Sequence, residues 1–376
     1  MSTDNGNETS NETTNSEDYD AHQILQIISL LGIIVVGVIL NCTVLLVFFG
    51  SRVVRNTRSN FCIINLVICD MIFLAIVIPM SFISVAAPRS EVAYTVTQGP
   101  LCQMTGFLSV LVCTASSLTL ACIAVERYIA AVHPLHYVRM FKQRQCLAVL
   151  TICWVWAALT AIPPLLPSKP ASFIYHPGTK RCSPSLKSDC WYFWYCVLMG
   201  YGIPLPIMTV CYVKITIVIR NHRRKVFGIK TRTATKTTTV LQATATLPQG
   251  RSPTDYPQVQ KGSGIFHTPI MVTPTGTESH IFTNQIPTKD ANRPQVQIAK
   301  RGALLVVAYF SCWGPYAFLN ACDLDLNVNE WIEVMSMWIV YTLVIWNPLI
   351  YVFNNKQFRH ELNKVCFIRG VTPRCW

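Results

Sequence analysis

The chain has 376 residues, of which 51% are hydrophobic and only 13% are charged, and its net charge is +13. Soluble proteins carry a charge on about a quarter of their residues, so this composition argues against a soluble domain and favours a membrane protein. The excess positive charge lies between long apolar blocks. It therefore indicates membrane topology and attraction to anionic lipid rather than nucleic-acid binding.

Seven apolar blocks follow one another along the chain. Six contain no Asp, Glu, Lys or Arg, and the seventh contains only Asp70: residues 21–50, 61–88 (with Asp70), 101–125, 146–167, 191–213, 302–322 and 334–353. Each block reaches the roughly 20 residues that a helix needs to cross the hydrocarbon core. Backbone polar groups in lipid must be satisfied within the segment, which favours helices over strands. The predicted fold is an all-α membrane protein, a seven-transmembrane helix bundle.

The positions of Lys and Arg orient this predicted bundle. With the N-terminus outside, only five of the 31 Lys and Arg fall in outer segments, and residues 1–23 hold six acidic residues and no basic ones. The positive-inside rule therefore predicts a multi-pass protein of the cell membrane with an extracellular N-terminus. Two glycosylation sequons, at Asn7 and Asn11, fit this placement.

The predicted organisation has five parts. Residues 1–23 form an extracellular glycosylated tail, 24–221 the first five helices with their loops, 222–297 the third cytoplasmic loop, 298–353 the last two helices, and 354–376 a cytoplasmic helix and tail. The 222–297 segment is rich in Thr, Pro, Gly and Gln, so we expect it to be disordered. Cys366, in the amphipathic tail, is a predicted lipidation site, with an unmodified thiol as the alternative.

Two cysteines lie at the outer edge of the predicted bundle. Cys102 begins the third helix and Cys182 lies in the second outer loop, in an oxidising compartment, so we predict a disulfide between them. Cys190, at the mouth of the fifth helix, is the competing partner.

Motifs in all seven blocks occur in one consistent order. They are Asn41, "NLVICD" ending at Asp70, Cys102 with "ERY" (Glu126, Arg127, Tyr128), Trp154 with Pro163-Pro164, Pro204 with Tyr212, "CWGP" (312–315), and "NPLIY" (347–351) followed by "NNKQF". Together these motifs resemble those of the rhodopsin-like, or class A, G-protein-coupled receptors, with local similarity to opsins, melatonin receptors and biogenic-amine receptors. The resemblance covers everything except the long insertion and the two termini.

The resemblance implies a two-state switch that activates a heterotrimeric G protein, and arrestin and kinases as further partners. The implied switch and coupling residues are Glu126, Arg127, Tyr128, Tyr212, Pro315, Asn347, Pro348 and Tyr351. Pro315 removes a backbone hydrogen bond one turn from Trp313, so helix six has a weak point about which its inner half can swing outward. Asp70, Ser116 and Asn347 are the implied sodium site, although Leu343 and Val344 replace polar residues that the family usually has there.

Eight residues are predicted to face a ligand cavity: Ser109, Cys113, Cys196, Trp313, Tyr316, Asn320, Trp338 and Tyr341. Amine receptors carry an Asp at the position of Ser109, and opsins carry the retinal Lys at the position of Tyr341. We therefore expect no retinal cofactor, and an apolar, aromatic cavity with a few neutral hydrogen-bonding groups. Such a lining suits a small uncharged or lipid-like extracellular ligand better than a cation.

Two alternative functions remain open from the sequence. One is a constitutively active or opsin-related receptor without retinal, and the other is a seven-helix transporter or channel. A transporter should show two related halves, and the chain has no such repeat. The chain has no metal-spaced His/Cys cluster and no nucleophile motif, so an enzyme is not expected.

Overall fold

A computed structural model of the protein describes residues 15–57, 60–140, 142–166, 172–186, 190–221, 224, 293–322, 328–354 and 356–368. The predictions for Asn7, Asn11 and nearly all of the 222–297 segment lie outside these residues. Helix α8 contains Cys366, but its side chain lies outside the described part.

Eight principal helices are described. They are α1 (Asn15–Gly50), α2 (Asn60–Ala86), α3 (Gly99–Val132), α4 (Gln143–Ala161), α5 (Cys190–Asn221), α6 (Arg293–Leu319), α7 (Glu330–Tyr341, continuing after Thr342 as Leu343–Asn354) and α8 (Lys356–Ile368). Among the described residues, α1 to α5 and α7 are long and apolar enough to cross a membrane, and α6 adds the shorter apolar helix Ala303–Leu319. Large apolar side chains such as Ile152, Val155 and Leu159 on α4 face outward, as lipid contact requires.

Two helix boundaries differ from the predicted domain limits. Helix α1 begins at Asn15, inside the predicted 1–23 tail, and α6 begins at Arg293, inside the loop predicted as disordered up to 297. The absence of charge marks the depth of the hydrocarbon, whereas a helix continues wherever its backbone hydrogen bonds are made. Polar sequence outside the membrane can therefore stay helical, so helices α1 and α6 each begin before the apolar block that marks them in the sequence.

Proline residues locally change the winding of two helices. A π-helical turn over Phe73–Val77 precedes Pro79 in α2, and another over Leu198–Gly202 precedes Pro204 in α5. Proline has no N–H to donate and its ring displaces the preceding turn, so a wider turn is a common result. Pro315 in α6 and Pro348 in α7 lie inside their helices without such a turn.

Buried amide side chains tie the helices together. Asn41 Nδ2 donates to the Val344 carbonyl at 2.8 Å and so joins α1 to α7. Asn65 Nδ2 donates to Thr119 Oγ1 at 2.8 Å, and Asn65 Oδ1 accepts from Trp154 Nε1 at 2.9 Å. Asn65 therefore connects α2, α3 and α4 and fixes their rotation relative to one another.

A β-hairpin occupies the loop between α4 and α5. Strands β1 (Phe173–His176) and β2 (Arg181–Pro184) pair antiparallel, with Tyr175 opposite Cys182 and His176 opposite Arg181. Lys180, just before β2, forms an ion pair with Glu330 at the start of α7, with Nζ and Oε1 2.7 Å apart. This ion pair holds the hairpin to the outer end of α7.

Candidate functional site

The hairpin lies over the outer end of α3 and is joined to it by a disulfide. Cys102 and Cys182 are bonded, with their Cα atoms 5.3 Å apart, so Cys182 rather than Cys190 is the partner of Cys102. Phe173 packs so closely on Gly106 that a Cβ at that glycine would lie 2.5 Å from the phenyl ring. Only glycine permits this approach, and it brings β1 and β2 down into the mouth of the bundle.

Beneath the hairpin lies a cavity of about 90 Å³, bounded by α3, α5, α6 and β2. We call it the outer cavity. Five of the predicted ligand-binding residues line it: Ser109, Cys113, Cys196, Trp313 and Tyr316. Its lining also includes residues that the sequence did not single out, among them Phe193, Tyr201, Tyr309 and Arg181. Aromatic and apolar surface dominates, as in most small-molecule sites.

The other three predicted ligand-binding residues do not line this cavity. Asn320 Nδ2 donates to the Tyr316 carbonyl at 2.9 Å, and Trp338 packs in the hydrophobic core. Tyr341 is fully buried, and its hydroxyl lies 2.7 Å from Ser81 Oγ. The sequence register gave the depth of these residues in the bundle but not the direction that their side chains take. No described residue of the lining is a lysine, and the absence of a retinal cofactor stays a prediction.

Arg181 makes the lining charged, so the prediction of a lining with only neutral hydrogen-bonding groups was wrong. Its side chain comes from β2, is 5% exposed, and its guanidinium carbon lies 5.3 Å from the centre of the Tyr316 ring. Nε and Nη1 are buried without a hydrogen-bond partner. The signal in the sequence was the position directly before Cys182, which the disulfide draws towards α3.

The surroundings of Arg181 keep it the positive centre of the hairpin. Burial acts to lower its pKa, but the neighbouring tyrosines, Tyr316 first, raise it above the usual value. Burial, and then the charge of Arg181, lowers the pKa of His176 on the paired strand. His176 is therefore neutral at physiological pH, and Arg181 carries the charge.

Three residues separate the outer cavity from a deeper one. Cys113, Tyr309 and Trp313 line both cavities, and Tyr309 donates its hydroxyl to the Cys113 carbonyl at 2.9 Å. The Trp313 ring packs edge-on against Tyr316, with centroids 5.7 Å apart. Trp313 thus forms the floor of one cavity and the roof of the next, two residues before Pro315.

The deeper cavity, of about 30 Å³, contains the predicted sodium residues Asp70, Ser116 and Asn347. Asn347 Nδ2 lies 3.1 Å from each carboxylate oxygen of Asp70, and Asn347 Oδ1 is buried without a partner. Leu343 and Val344 complete the wall with apolar surface. The three side chains supply oxygen ligands of the kind that hard cations prefer, and the orphaned amide oxygen fits such an ion. The sodium site stays a prediction.

The predicted switch residues at the inner end make local contacts. Arg127 Nη2 lies 3.8 Å from Glu126 Oε2, and Tyr137 donates to Glu126 Oε1 at 2.9 Å. The Tyr128 ring packs against His133, with centroids 6.0 Å apart. The hydroxyl of Tyr212 is buried without a hydrogen-bond partner.

Tyr351 connects the end of α7 to its neighbours. Its hydroxyl donates to Asn60 Oδ1 at 3.1 Å, and its ring packs against Phe358 of α8, with centroids 4.9 Å apart. Ser51 donates to Glu361 Oε2 at 2.8 Å, which ties α8 to the inner end of α1.

The curated proteins to which the chain is similar are receptors. It is 25% identical to the alpha-1D adrenergic receptor of Sus scrofa over 90% of the chain, but it spans only 57% of that relative's length. It is 24% identical to the 5-hydroxytryptamine receptor 1A-beta of Takifugu rubripes, over 95% of the chain and 94% of the relative.

A solved structure and a family model agree with this similarity. The crystal structure of squid rhodopsin superposes with a TM-score of 0.67 at 20% identity, covering 94% of this chain and 87% of that one, and so supports the fold. The family model for the seven-transmembrane receptors of the rhodopsin family matches residues 40–351. The chain therefore belongs to the rhodopsin family of seven-transmembrane receptors.

Proposed function

We propose that the protein is a G-protein-coupled receptor of the cell membrane, with its N-terminus outside. A small extracellular ligand binds in the outer cavity, and an outward swing of α6 then activates a heterotrimeric G protein on the cytoplasmic side. The observation that carries this proposal is the position of Trp313, which lines both cavities and lies two residues before Pro315.

The mechanical argument concerns the backbone of α6. Pro315 has no N–H, so the carbonyl of Ser311 lacks its usual helical partner and the helix bends more easily there. A ligand that moves Trp313 acts directly beside this weak point. The inner half of α6 then moves as a lever whose far end lies on the cytoplasmic side.

The orientation follows from charge and redox chemistry. The disulfide and the hairpin lie at one end of the bundle, and disulfides persist in the oxidising extracellular space. Among the described residues, most Lys and Arg fall in segments at the other end, where the positive-inside rule places the cytoplasm. That end carries Arg127, which we propose as the main contact for the G protein.

The lining supports a ligand with an apolar body. Trp313, Tyr316, Phe193 and Tyr201 supply aromatic surface, and the cavity lies close to membrane depth. A small ligand of lipid-like character therefore suits it. The described lining contains no Asp or Glu, which would be needed to pair an ammonium group.

The test is G-protein dissociation in transfected cells, measured by resonance energy transfer with a panel of Gα subtypes and a library of small metabolites. We expect at least one subtype to respond. Arg127→Ala should abolish the response by removing the G-protein contact, and Trp313→Ala should abolish the ligand-dependent part. Leu159→Ala, a lipid-facing change on α4, is the matched control and should leave both intact.

A receptor delivered to the surface that engages no Gα subtype, with or without ligand, would contradict the proposal. Transport of solute across the membrane by the same cells would favour the transporter alternative instead.

A further inference from the structure

We propose that the outer cavity takes a small carboxylic acid, with the carboxylate paired to Arg181 and the apolar body against the aromatic lining. This inference rests on the proposed function, because it takes the outer cavity as the ligand site. It corrects the expectation of an uncharged ligand and keeps the expectation of a lipid-like one.

The first support is the burial of Arg181, whose polar neighbours include the Tyr316 and Tyr341 hydroxyls but no acidic group. The side chain is 5% exposed, and two of its nitrogens, Nε and Nη1, have no hydrogen-bond partner. Arg181 forms no ion pair with any acidic residue in the described part of the chain. A buried charge without a counter-ion is costly, so a site of this kind is completed by an anion from outside.

The neighbouring lysine shows that the hairpin does pair charges elsewhere. Lys180 Nζ lies 2.7 Å from Glu330 Oε1, at the more exposed side of the same hairpin. These two adjacent residues therefore differ. Lys180 has an acidic partner within the protein, whereas Arg181 lies in the lining of the outer cavity.

The chemistry of the guanidinium selects the class of anion. Its planar fork offers two parallel N–H donors, which match the two oxygens of a carboxylate. With His176 neutral, Arg181 supplies one positive charge, which a carboxylate balances. A phosphate dianion would leave an excess negative charge against apolar walls, which is unfavourable.

The cavity sets the rest of the ligand. Its volume of about 90 Å³ and its walls of Phe193, Tyr201, Trp313 and Tyr316 suit a short aliphatic or aromatic body. The face of Tyr316 is occupied by the guanidinium at 5.3 Å, so the body of the ligand is expected nearer Trp313. An acid bound to Arg181 would therefore reach Trp313, the residue that we propose starts the switch.

The experiment measures binding to the purified full-length receptor in lipid nanodiscs by thermal unfolding. The probes are benzoate, phenylacetate and hexanoate as sodium salts, each compared with its primary amide at equal ionic strength. We expect at least one acid to bind at least tenfold more tightly than its amide, because charge-assisted bonds exceed neutral ones by about that factor.

Three variants assign the preference to Arg181. Arg181→Gln should remove the preference for acid over amide, and Arg181→Lys should weaken acid binding severalfold because the fork is lost. Lys180→Gln, the matched control, removes the adjacent charge and should keep the preference. If Arg181→Gln does not fold, Arg181→Lys and the acid–amide comparison in the natural receptor decide the question.

Equal binding of acids and amides, no binding of any probe, or an unchanged preference in Arg181→Gln would overturn the inference. Unchanged acid affinity in Arg181→Lys would do so as well. Nucleotide exchange on G proteins is measured with the same preparation. A receptor that prefers acids through Arg181 but activates no G protein would contradict the proposed function and leave the acid site standing.

Discussion

At the scale of single residues, Asp70 is the acid at membrane depth, and such a group is costly unless it is paired or solvated. Both carboxylate oxygens of Asp70 lie 3.1 Å from Asn347 Nδ2 on α7. Ser116 of α3 lines the same small cavity. This cavity lies directly below Trp313, and a change in it therefore affects residues of α2, α3 and α7 together.

Sodium is expected to stabilise the receptor through this cavity. Replacing choline by sodium at constant ionic strength should raise the melting temperature of the purified receptor. Asp70→Asn should abolish that rise, because it removes the charge and leaves a side chain of similar size. Equal melting temperatures of the natural receptor in the two salts would show that the Asp70–Asn347 pair is complete without an ion.

Protonated amines should be poor ligands, although the relatives include adrenergic and 5-hydroxytryptamine receptors. Ser109 donates to the Gly106 carbonyl at 2.8 Å and offers no charge, while Arg181 repels an ammonium group. The loss of an ion pair in a poorly solvated site should cost on the order of a hundredfold in affinity. Dose–response curves for dopamine, serotonin and octopamine test this, and a submicromolar response to any of them would contradict it.

At the scale of helices, we expect a restraint between α3 and α6 to set the resting state. Arg127 contacts Glu126, which lies on the same helix and cannot hold α6. Near the start of α6, the sequence offers Gln295, a neutral amide whose side chain lies outside the described part. Neutral hydrogen bonds are roughly half as strong as charge-assisted ones, so the inactive state should be favoured less.

Measurable ligand-free signalling is therefore expected. Gln295→Glu should lower it, because an acid can pair with Arg127, and a shift of about 1.4 kcal/mol would change the active fraction tenfold. The measurement is basal second-messenger output at matched surface expression. A natural receptor no more active than mock-transfected cells would contradict the prediction, as would a raised baseline that Gln295→Glu leaves unchanged.

The seven helices could be predicted because apolar blocks without charge have one stable form in lipid. The exact start of α6 could not, because the polar residues from Arg293 onward continue the helix without an apolar signal. Trp338 and Tyr341 were assigned to the right helix, but neither lines the outer cavity, because the break at Thr342 in α7 leaves their rotation open. The position of Arg181 before Cys182 indicated that it lies near α3, but whether its side chain enters the cavity depends on the hairpin, a long-range fold that local sequence does not show.

At the scale of the whole molecule, the disulfide links the proposed ligand site to the stability of the fold. It holds β2, and with it Arg181, over the outer end of α3. Cys182→Ser should strongly reduce surface delivery, and any receptor that reaches the surface should respond to ligand weakly. Removing a disulfide that closes a long loop typically costs about 2–5 kcal/mol. Surface labelling and G-protein dissociation are the measurements.

Cys42→Ser is the matched control, because Cys42 lies in α1 and is not in a disulfide. It should leave both surface delivery and response unchanged. Full delivery and a normal response of Cys182→Ser would show that the hairpin stays in place without the bond.

The central claim is that α6 swings about Pro315 when the receptor engages a G protein. Spin labels introduced as unnatural amino acids at Val53 and Leu304, both exposed, report the distance between the inner loop and the inner half of α6. The lever from Pro315 to Leu304 is about 16.5 Å at about 1.5 Å per residue, so a bend of about 20° moves its end by about 6 Å.

Adding nucleotide-free G protein should therefore produce a population up to about 6 Å longer in the electron–electron distance distribution. Pro315→Ala should reduce that population, while Gly314→Ala, whose added Cβ meets only open space, should retain it. A distribution that stays unchanged with every G-protein subtype, or a lengthening that Pro315→Ala leaves intact, would contradict the account.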